Sequence, residues 1–430
     1  MLCNYFKDHG WNMKLVLCLL AVVVVSGCSP DVRPFAGQPS LFATALSTQP
    51  EPTQAIPITT KAPMINSEIS SPSPTRTLEE RQTLLQTPSP SPATISAPEA
   101  PLISVSNVSE LKESTLIRFE SWEMVTALDW SPDGEYLAVA AGNAVYLFKL
   151  APRADSLERL AKLGMGSLTP SLKFSPQGDL LAAGSKDGHL HVWSMSSLKT
   201  AGSQEVREAK LAVEAHKKGV NWVAFSPNES LLASAGNDAM VRLWDLETGQ
   251  QVSSIIGGTY VIPCVSFTRD GAYLAIANGP RVRFRQLETG RMAATLDADA
   301  GLFSLALSPD GGTLAASALD GGVWMWQSPT APLDPNLEVE PLVVFPDYAT
   351  TSPNAFVWTL QYNINGNLLA AASTDARIYF IDPVQGELVY TLKGHNSAVT
   401  ALKFNPQGTS LVSAGLDATV RLWKVEKGLP

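Results

Sequence analysis

Cysteine and basic charge are both scarce in this sequence. The 430 residues include four cysteines, Cys3, Cys18, Cys28 and Cys264, and none has the Cys/His spacing of a metal site. Lys and Arg total 31 against 40 Asp and Glu, so the formal net charge is −9 at pH 7. Because nucleic-acid-binding domains normally carry a basic patch, this balance argues against a nucleic-acid partner. We expect no disulfide framework, no metal and no other cofactor.

Catalytic signatures are absent as well. The sequence contains no Gly-x-Ser-x-Gly motif, and only four histidines follow residue 28. His189 and His191 alternate along one predicted strand. Such a pair can bind a metal, but without a third ligand nearby a surface strand pair is favoured. The Gly164–Gly166 pattern lacks the strand-to-helix context of a phosphate-binding loop. The sequence therefore predicts a protein that is not an enzyme and has no catalytic, cofactor-binding or metal-ligating residues.

The N-terminus carries a short apolar run. Lys14 precedes eleven apolar residues, Leu15 to Val25, which cover about half of a ~30 Å hydrocarbon core and match the length of a signal-peptide core. The tetrapeptide Val25–Cys28 resembles the lipobox of bacterial lipoproteins. That resemblance implies cleavage after Gly27 and lipidation of Cys28. An ordinary signal peptide and a buried apolar strand stay open as alternatives. Residues 1–28 are thus predicted to be a lipoprotein signal peptide that ends at the lipobox cysteine. The mature protein is expected to be exported and lipid-anchored on the extracytoplasmic face of a bacterial membrane.

The next segment, residues 29–112, is rich in proline, serine and threonine. Fourteen of the 31 prolines fall between Pro30 and Pro101. A segment of this composition has too little apolar mass to offset the entropy of ordering. We therefore predict a disordered linker that holds a folded domain, residues 113–428, away from the membrane. A partner-binding role for the linker is the alternative.

Seven internal repeats make up the remainder. A tight-turn phrase recurs after an alternating apolar run, with spacings of 44, 51, 42, 40, 55 and 42 residues: Ser131–Gly134, Ser175–Gly178, Ser226–Glu229, Thr268–Gly271, Ser308–Gly311, Asn363–Gly366 and Asn405–Gly408. Proline presets φ for such a turn and glycine supplies the positive φ, so each phrase joins two antiparallel strands. A strand of small residues follows each turn, for example Leu232–Gly236 and Leu411–Gly415. Poor strand formers such as alanine and glycine, recurring in one strand of every unit, predict closely packed sheets.

Two units carry a specific signature. The third runs from His216 to Trp244-Asp245, and the seventh runs from Gly394-His395 to Trp423. Repeats of about 40–45 residues that begin near Gly-His and end near Trp-Asp resemble the WD40 family. The resemblance implies an all-β, seven-bladed propeller with four antiparallel strands per blade. It also implies structural tetrads that hydrogen-bond His, Ser, Asp and Trp, which by position are His216, Ser234, Asp238 and Trp244, and His395, Ser413, Asp417 and Trp423.

The other five units depart from this signature. Asp187 with Trp193, and Asp320 with Trp326, keep half of the tetrad, and Asp375 stands with Phe380. Units one and four have Asn143 and Asn278 near the aspartate position, with Phe148 and Phe284 near the tryptophan position. We expect blades one and four to be the least hydrogen-bonded. The two long spacings are too short for an eighth blade, so Ser197–Glu208 and Pro329–Asn336 are predicted to be loops. By the family's strand order, Thr115–Phe119 closes the ring beside Val420–Trp423.

Family resemblance carries most of the functional prediction. It implies a membrane-tethered, extracytoplasmic scaffold that binds a protein partner through the top face of the propeller. Alignment on unit seven places twelve residues on that rim: Trp122, Met124, Leu168, Lys186, Lys218, Asn237, Tyr260, Leu319, Phe356, Thr374, Ser397 and Leu416. Some of them could instead cap blade cores. The alternative functions are a small-molecule or glycan sensor or hydrolase acting at the channel mouth, and a structural part of an envelope assembly.

Overall fold

The computed structural model describes residues 101–151, 156–200, 205–206, 208–328, 341, 343–345 and 355–425. The predicted signal peptide, Cys28 and the linker up to residue 100 lie outside these residues, as does Pro329–Asn336. Within the described ranges, no helix combines the length and apolarity needed to cross a membrane.

The domain is built from seven antiparallel sheets arranged as blades. Blade 1 holds β2 (Val125–Trp130), β3 (Tyr136–Ala141), β4 (Ala144–Leu150) and β5 (Leu157–Gly164). Blade 2 holds β6 (Ser171–Phe174), β7 (Leu180–Gly184), β8 (His189–Ser194) and β10 (Leu211–Glu214), and blade 3 holds β11 (Val220–Phe225), β12 (Leu231–Gly236), β13 (Met240–Asp245) and β14 (Gln251–Ile256). Blade 4 holds β15 (Val265–Phe267), β16 (Tyr273–Asn278), β17 (Arg281–Gln286) and β18 (Met292–Asp297).

The remaining three blades complete the ring. Blade 5 holds β19 (Leu302–Leu307), β20 (Thr313–Ala318), β21 (Val323–Gln327) and β22 (Val343–Phe345), and blade 6 holds β23 (Val357–Tyr362), β24 (Leu369–Ser373), β25 (Arg377–Asp382) and β26 (Glu387–Lys393). Blade 7 holds β27 (Val399–Phe404), β28 (Ser410–Gly415), β29 (Thr419–Val425) and, from the start of the domain, β1 (Leu111–Arg118). The first strand of each blade contacts the first strand of the next, and β27 contacts β2. The predicted seven-bladed propeller is confirmed.

Ring closure follows the predicted strand order. Strand β1 pairs antiparallel with β29, with Thr115 opposite Leu422 and Arg118 opposite Thr419. This non-local pairing covers an edge that would otherwise be open. Inside the ring, the hydroxyl of Thr400 donates to the carbonyl of Val125 at 2.6 Å, which joins blade 7 directly to blade 1.

The folded domain begins earlier than predicted. A 3₁₀ turn, Val108–Glu110, leads into β1, and Ile103, Val108 and Leu111 pack into the core between blades 6 and 7. The backbone of Ile103 is also held at both ends, because its N–H donates to Gly408 at 2.8 Å and its carbonyl accepts from Asn363 Nδ2 at 3.0 Å. Residues 103–112, assigned to the disordered linker by composition, therefore belong to the propeller. The apolar side chains of Ile103, Val108 and Leu111 indicate a folded segment, but the high proline content of the region before them led to a prediction of disorder.

Small residues in the second strands permit close packing between blades. Strands β3, β12, β16 and β28 are buried at every position. A Cβ added to Gly184 would lie 2.3 Å from Val220 Cγ1 of the neighbouring blade. A Cβ on Gly236 would lie 2.2 Å from the ring nitrogen of His216. Larger residues in these strands would clash with the neighbouring blade, as at Gly184, or within their own blade, as at Gly236, which explains the recurrence of alanine and glycine.

One long spacing is not simply loop. The segment around Ser197–Glu208 includes part of helix α1 (Met195–Thr200), whose Met195 and Leu198 side chains are buried in the core shared by blades 1 and 2. The two-residue strand β9 (Glu205–Val206) then pairs in parallel with β5, which gives blade 1 a fifth strand. The prediction of a loop was wrong here, because the apolar residues of α1 are too few to show helical periodicity.

Candidate functional site

Both predicted tetrads are brought together by the structure. In blade 3, His216 Nδ1 lies 2.7 Å from Asp238 Oδ1, His216 Nε2 lies 2.9 Å from Ser234 Oγ, and the Trp244 indole donates to Ser234 Oγ at 3.0 Å. Burial lowers the pKa of His216, and the hydrogen bond with Asp238 opposes this shift. These buried hydrogen bonds fix the turn between the second and third strands, so the tetrads have a structural role.

The blade 7 tetrad has the same geometry. His395 Nε2 lies 2.8 Å from Ser413 Oγ, which accepts the Trp423 indole N–H at 2.8 Å. Burial would raise the pKa of Asp417, but hydrogen bonds from His395, the Asn396 N–H and the Thr419 hydroxyl outweigh it and lower this pKa to about 2. The carboxylate is therefore ionised across the neutral range.

Blades 2 and 5 keep the tryptophan but not its acceptor. Trp193 and Trp326 are buried, and their indole nitrogens have no hydrogen-bond partner among the described residues. In each blade an alanine, Ala183 or Ala316, stands where the serine of the tetrad would be. The retained aspartates bind only their own turns, as Asp320 does by accepting the Gly322 N–H at 2.9 Å. Trp193 and Trp326 are therefore buried donors without an acceptor among the described residues.

Blades 1, 4 and 6 replace the tetrad with other hydrogen bonds. In blade 1 the Tyr146 hydroxyl donates to Glu123 at 2.7 Å, and both residues are buried. In blade 4 the Asn278 amide donates to the Tyr260 carbonyl at 2.6 Å. In blade 6 the Tyr379 hydroxyl donates to Asp375 at 2.6 Å. Residues outside the repeat pattern therefore supply polar partners in blades 1 and 4, and the expectation that these blades are the least hydrogen-bonded stays a prediction that hydrogen exchange can test.

The twelve predicted rim residues divide by exposure. Trp122, Tyr260 and Leu319 are 62%, 54% and 45% exposed, and Lys218 is also exposed. Six are partly buried: Leu168, Lys186, Asn237, Phe356, Thr374 and Leu416. Met124 and Ser397 are buried, 8% and 7% exposed. For these two the prediction of a partner-binding role was wrong, since their side chains fill the blades at the start of β2 and β27.

A polar network lies on the rim at blades 2 and 3. Lys186 Nζ donates to Asn221 Oδ1 at 3.0 Å, and Asn221 Nδ2 donates to Asn237 Oδ1 at 2.7 Å. The Asn237 amide in turn donates to the Lys218 carbonyl at 2.9 Å. Burial lowers the pKa of Lys186 to about 8. The network orients a poorly hydrated ammonium group toward the channel mouth.

Aromatic side chains gather on the rim at blades 5 and 6. The ring centroids of Phe303 and Phe356 lie 5.7 Å apart, those of Phe303 and Trp358 lie 5.3 Å apart, and those of Phe356 and Trp358 lie 5.6 Å apart. All three side chains are partly exposed. We call Phe303, Phe356 and Trp358 the aromatic group. Of its members, sequence alignment of the rim identified only Phe356.

Bulges explain the two members that were missed. The strand register skips one residue in each of five inner strands, at Thr126, Asn221, Phe303, Trp358 and Thr400. A bulge re-aims a side chain and locally interrupts pairing. Thr126, Asn221 and Thr400 use this position to bond the backbone of the next blade, whereas Phe303 and Trp358 place rings there. Aligning the repeats at this position would have found them.

Charge inside the ring is confined to three side chains. Over the seven inner strands the charged residues are Asp129, Lys173 and Lys403, on blades 1, 2 and 7. Lys403 Nζ lies 3.2 Å from Asp129 Oδ1, and Lys173 Nζ lies 4.0 Å from the same atom. Among the described residues, no group of three or more His, Cys, Asp or Glu is placed to hold a metal ion. His189 instead lies 3.2 Å from Asp187, and His191 stacks on Trp193.

Comparisons with known proteins agree with this architecture. The family model "WD domain, G-beta repeat" matches residues 113–149, 290–327 and 386–424. The model "Anaphase-promoting complex subunit 4 WD40 domain" matches residues 172–270. Together with the seven blades, six of four strands and one of five, these matches support a WD40-type β-propeller fold.

Curated relatives resemble part of the chain. Nuclear distribution protein PAC1 of Arthroderma benhamiae is 28% identical over 226 residues, which are 52% of this chain and 39% of that protein. The B-type cell cycle switch protein ccs52A of Medicago truncatula is 26% identical over 307 residues, 69% of this chain and 58% of that protein. Small ribosomal subunit protein RACK1y of Oryza sativa is 29% identical over 161 residues, 36% of this chain and 45% of that protein. The chain thus spans well under two thirds of each relative.

Proposed function

We propose that this protein is a non-enzymatic interaction module whose propeller rim binds a protein partner. The aromatic group is the observation that carries this proposal. Aromatic side chains contribute large contact area at small entropic cost and are enriched among the residues that dominate binding energy. Three rings in mutual contact at a channel mouth, with Trp122 and Tyr260 exposed elsewhere on the rim, suit an apolar partner segment.

Lys186 supports the same proposal from the other side of the ring. Keeping an ammonium group poorly hydrated costs free energy, and no carboxylate among the described residues is bonded to it. An acidic group on a partner would offset that cost. The rim therefore offers an apolar contact at blades 5 and 6 and a cationic contact at blades 2 and 3.

The names of matched proteins also support an interaction role. RACK1y is named as a ribosomal subunit protein, and one matching family model is named for a subunit of the anaphase-promoting complex. Both names describe parts of larger assemblies. By analogy we assign this chain a scaffolding function, which rests on fold resemblance as well as on the rim.

Crosslinking from the rim tests the interaction. A photoreactive amino acid placed at Trp122 or Tyr260 should crosslink one discrete protein in cells, and adding Trp358→Ala should reduce the yield several-fold. Val384→Ser is the matched control, because Val384 is 77% exposed in the β25–β26 turn at the opposite end of blade 6. If Trp358→Ala gives the same crosslinks as the parent and Val384→Ser, the aromatic group is not part of the binding surface. The absence of any discrete crosslink from Trp122 and Tyr260 would refute binding through the rim.

We further propose that a lipid on Cys28 holds the propeller at the extracytoplasmic face of a bacterial membrane. The lipobox-like Val25–Cys28 and the proline-rich segment after it support this location. Two or three acyl chains anchor a protein firmly, whereas one is marginal. Metabolic labelling with a fatty-acid analogue should mark the parent protein and Cys264→Ser but not Cys28→Ser. Equal labelling of Cys28→Ser would refute the anchor.

A further inference from the structure

We propose that the central channel contains a binding site for one small oxyanion, a carboxylate or a phosphate, held between Lys173 and Lys403. This site lies on the inner strands and is distinct from the protein-binding rim. The observation behind it is a cluster of two ammonium groups around a single carboxylate, built from three different blades.

Geometry brings the two lysines to one point. Both Nζ atoms approach the same oxygen of Asp129, at 3.2 Å for Lys403 and 4.0 Å for Lys173. The other carboxylate oxygen is already used, because Asp129 Oδ2 accepts the Phe174 N–H at 2.9 Å. Asp129 is therefore fixed against blade 2 and cannot turn to serve the lysines with both oxygens.

The charges do not balance. Two ammonium groups and one carboxylate leave one positive charge, and no further acidic side chain occurs on the seven described inner strands. A buried charge without a partner is costly in a medium of low dielectric. Burial lowers the pKa of Lys173, repulsion from Lys403 lowers it further, and Asp129 and Cys264 oppose both effects. An anion between the lysines would supply the missing negative charge.

Both lysine side chains stay partly accessible, and an aromatic ring lies beside one of them. Each lysine keeps 27% of its side-chain surface accessible, against 6% for Asp129. The Trp222 ring lies under the Lys173 ammonium group, with its centroid 5.5 Å from Nζ. An ammonium over an aromatic face is held by the ring quadrupole but keeps N–H donors free. Those donors, with the donors of Lys403, match the acceptor-only chemistry of carboxylate and phosphate oxygens.

Equilibrium dialysis of the full chain against radiolabelled phosphate, and separately against radiolabelled acetate, tests the site. The dialysis is run at about pH 6 and constant ionic strength, because acidic pH favours the ammonium form of a lysine side chain. We expect saturable binding of one anion per chain, and the tighter of the two probes identifies the oxyanion class. Lys173→Met and Lys403→Met should each weaken binding at least about tenfold, since each removes a charge-assisted hydrogen bond. Lys393→Met, an exposed lysine on the outer strand of blade 6, should leave binding unchanged.

Asp129→Asn separates recognition from general damage. This variant removes the competing negative charge but keeps an amide oxygen for the Phe174 N–H, so it should bind the anion several-fold more tightly than the parent. A folding defect would instead weaken binding. The proposal is overturned if neither probe binds saturably, if the two lysine variants bind like Lys393→Met, or if a folded Asp129→Asn protein binds more weakly. Rim variants such as Trp358→Ala should not affect this binding, so the two proposals fail separately.

Discussion

Paired tryptophan substitutions measure what a tetrad hydrogen bond contributes to stability. Trp423 and Trp326 occupy equivalent positions in blades 7 and 5 and are 4% and 0% exposed. The Trp423 indole donates to Ser413 Oγ at 2.8 Å, whereas the Trp326 indole has no acceptor among the described residues. Replacing either residue by phenylalanine removes a similar volume. Only Trp423→Phe leaves a buried oxygen short of a hydrogen bond.

Magnitudes follow from this difference. An unsatisfied buried polar group costs roughly 1–3 kcal/mol. Trp423→Phe removes a hydrogen bond worth about 1 kcal/mol from Ser413 Oγ, which keeps its bond to His395 Nε2, and Trp326→Phe removes an unsatisfied donor, so Trp423→Phe should lower the free energy of unfolding by about 2 kcal/mol more. Urea denaturation of both variants, with coincident tryptophan fluorescence and circular dichroism transitions as the two-state check, gives the comparison.

Trp244→Phe and Trp193→Phe repeat the comparison in blades 3 and 2. The Trp244 indole donates to Ser234 Oγ at 3.0 Å, and the Trp193 indole lacks a partner among the described residues. Trp244→Phe and Trp423→Phe should therefore lower the free energy of unfolding more than Trp193→Phe and Trp326→Phe. Equal losses in all four variants, or a larger loss at Trp326 than at Trp423, would refute this reasoning.

Three further predictions concern titration and reactivity. The pKa of Asp417 is lowered from 3.8 to about 2 in the folded protein, so the stabilisation by its carboxylate is complete above about pH 4 and is lost as the pH falls through about 2. In Asp417→Asn, the free energy of unfolding should therefore depend less on pH between these values. Burial raises the pKa of the Cys264 thiol to about 12, so Cys264 of the native protein should resist iodoacetamide until the protein is denatured. Rapid labelling of Cys264 in native protein at neutral pH, detected by peptide mass spectrometry, would contradict this. The pKa of Lys186 is lowered from 10.5 to about 8, so its charged form destabilises the folded protein at neutral pH. Lys186→Met should therefore raise the melting temperature at neutral pH, and the difference from the parent should shrink as the pH rises toward 10.5. A lower melting temperature of the variant at neutral pH would contradict this prediction.

Sequence reasoning predicted the features that every repeat must satisfy. The turn phrases, the small-residue strands and the tetrad residues each obey a local rule, such as positive φ at Gly134 or the lack of space at Gly184. The turn phrases and the small-residue strands could be read without coordinates because each is a property of short range along the chain. The tetrads of blades 3 and 7 and the non-local closure by β1 were instead implied by the family resemblance.

Features that occur in only one or two units were harder to predict from the sequence. The bulge that aims Phe303 and Trp358 changes register without changing composition, so alternation alone places the rings wrongly. Burial of Met124 depends on how tightly the first strand of its blade meets the turns, which no spacing encodes. The early start at Ile103 depends on a gap between blades 6 and 7 that is visible only after the ring closes.

Loss of the tetrad is linked to construction of the rim. In blade 1, which lacks the tetrad, the buried Glu123 accepts a hydrogen bond from Tyr146 and is adjacent in sequence to exposed Trp122. The side chains of Glu123 and Trp122 both pack against Gly142, whose φ is +58°. In blade 4, the Asn278 amide holds the carbonyl of exposed Tyr260, whose ring covers Gly279 at φ +60°. In each of these blades, a side chain whose hydrogen bond takes the place of the tetrad also helps to position an exposed aromatic residue. Blades 1 and 4, which lack the tetrad, therefore position the two exposed aromatic residues from which the crosslinking test of the proposed function starts.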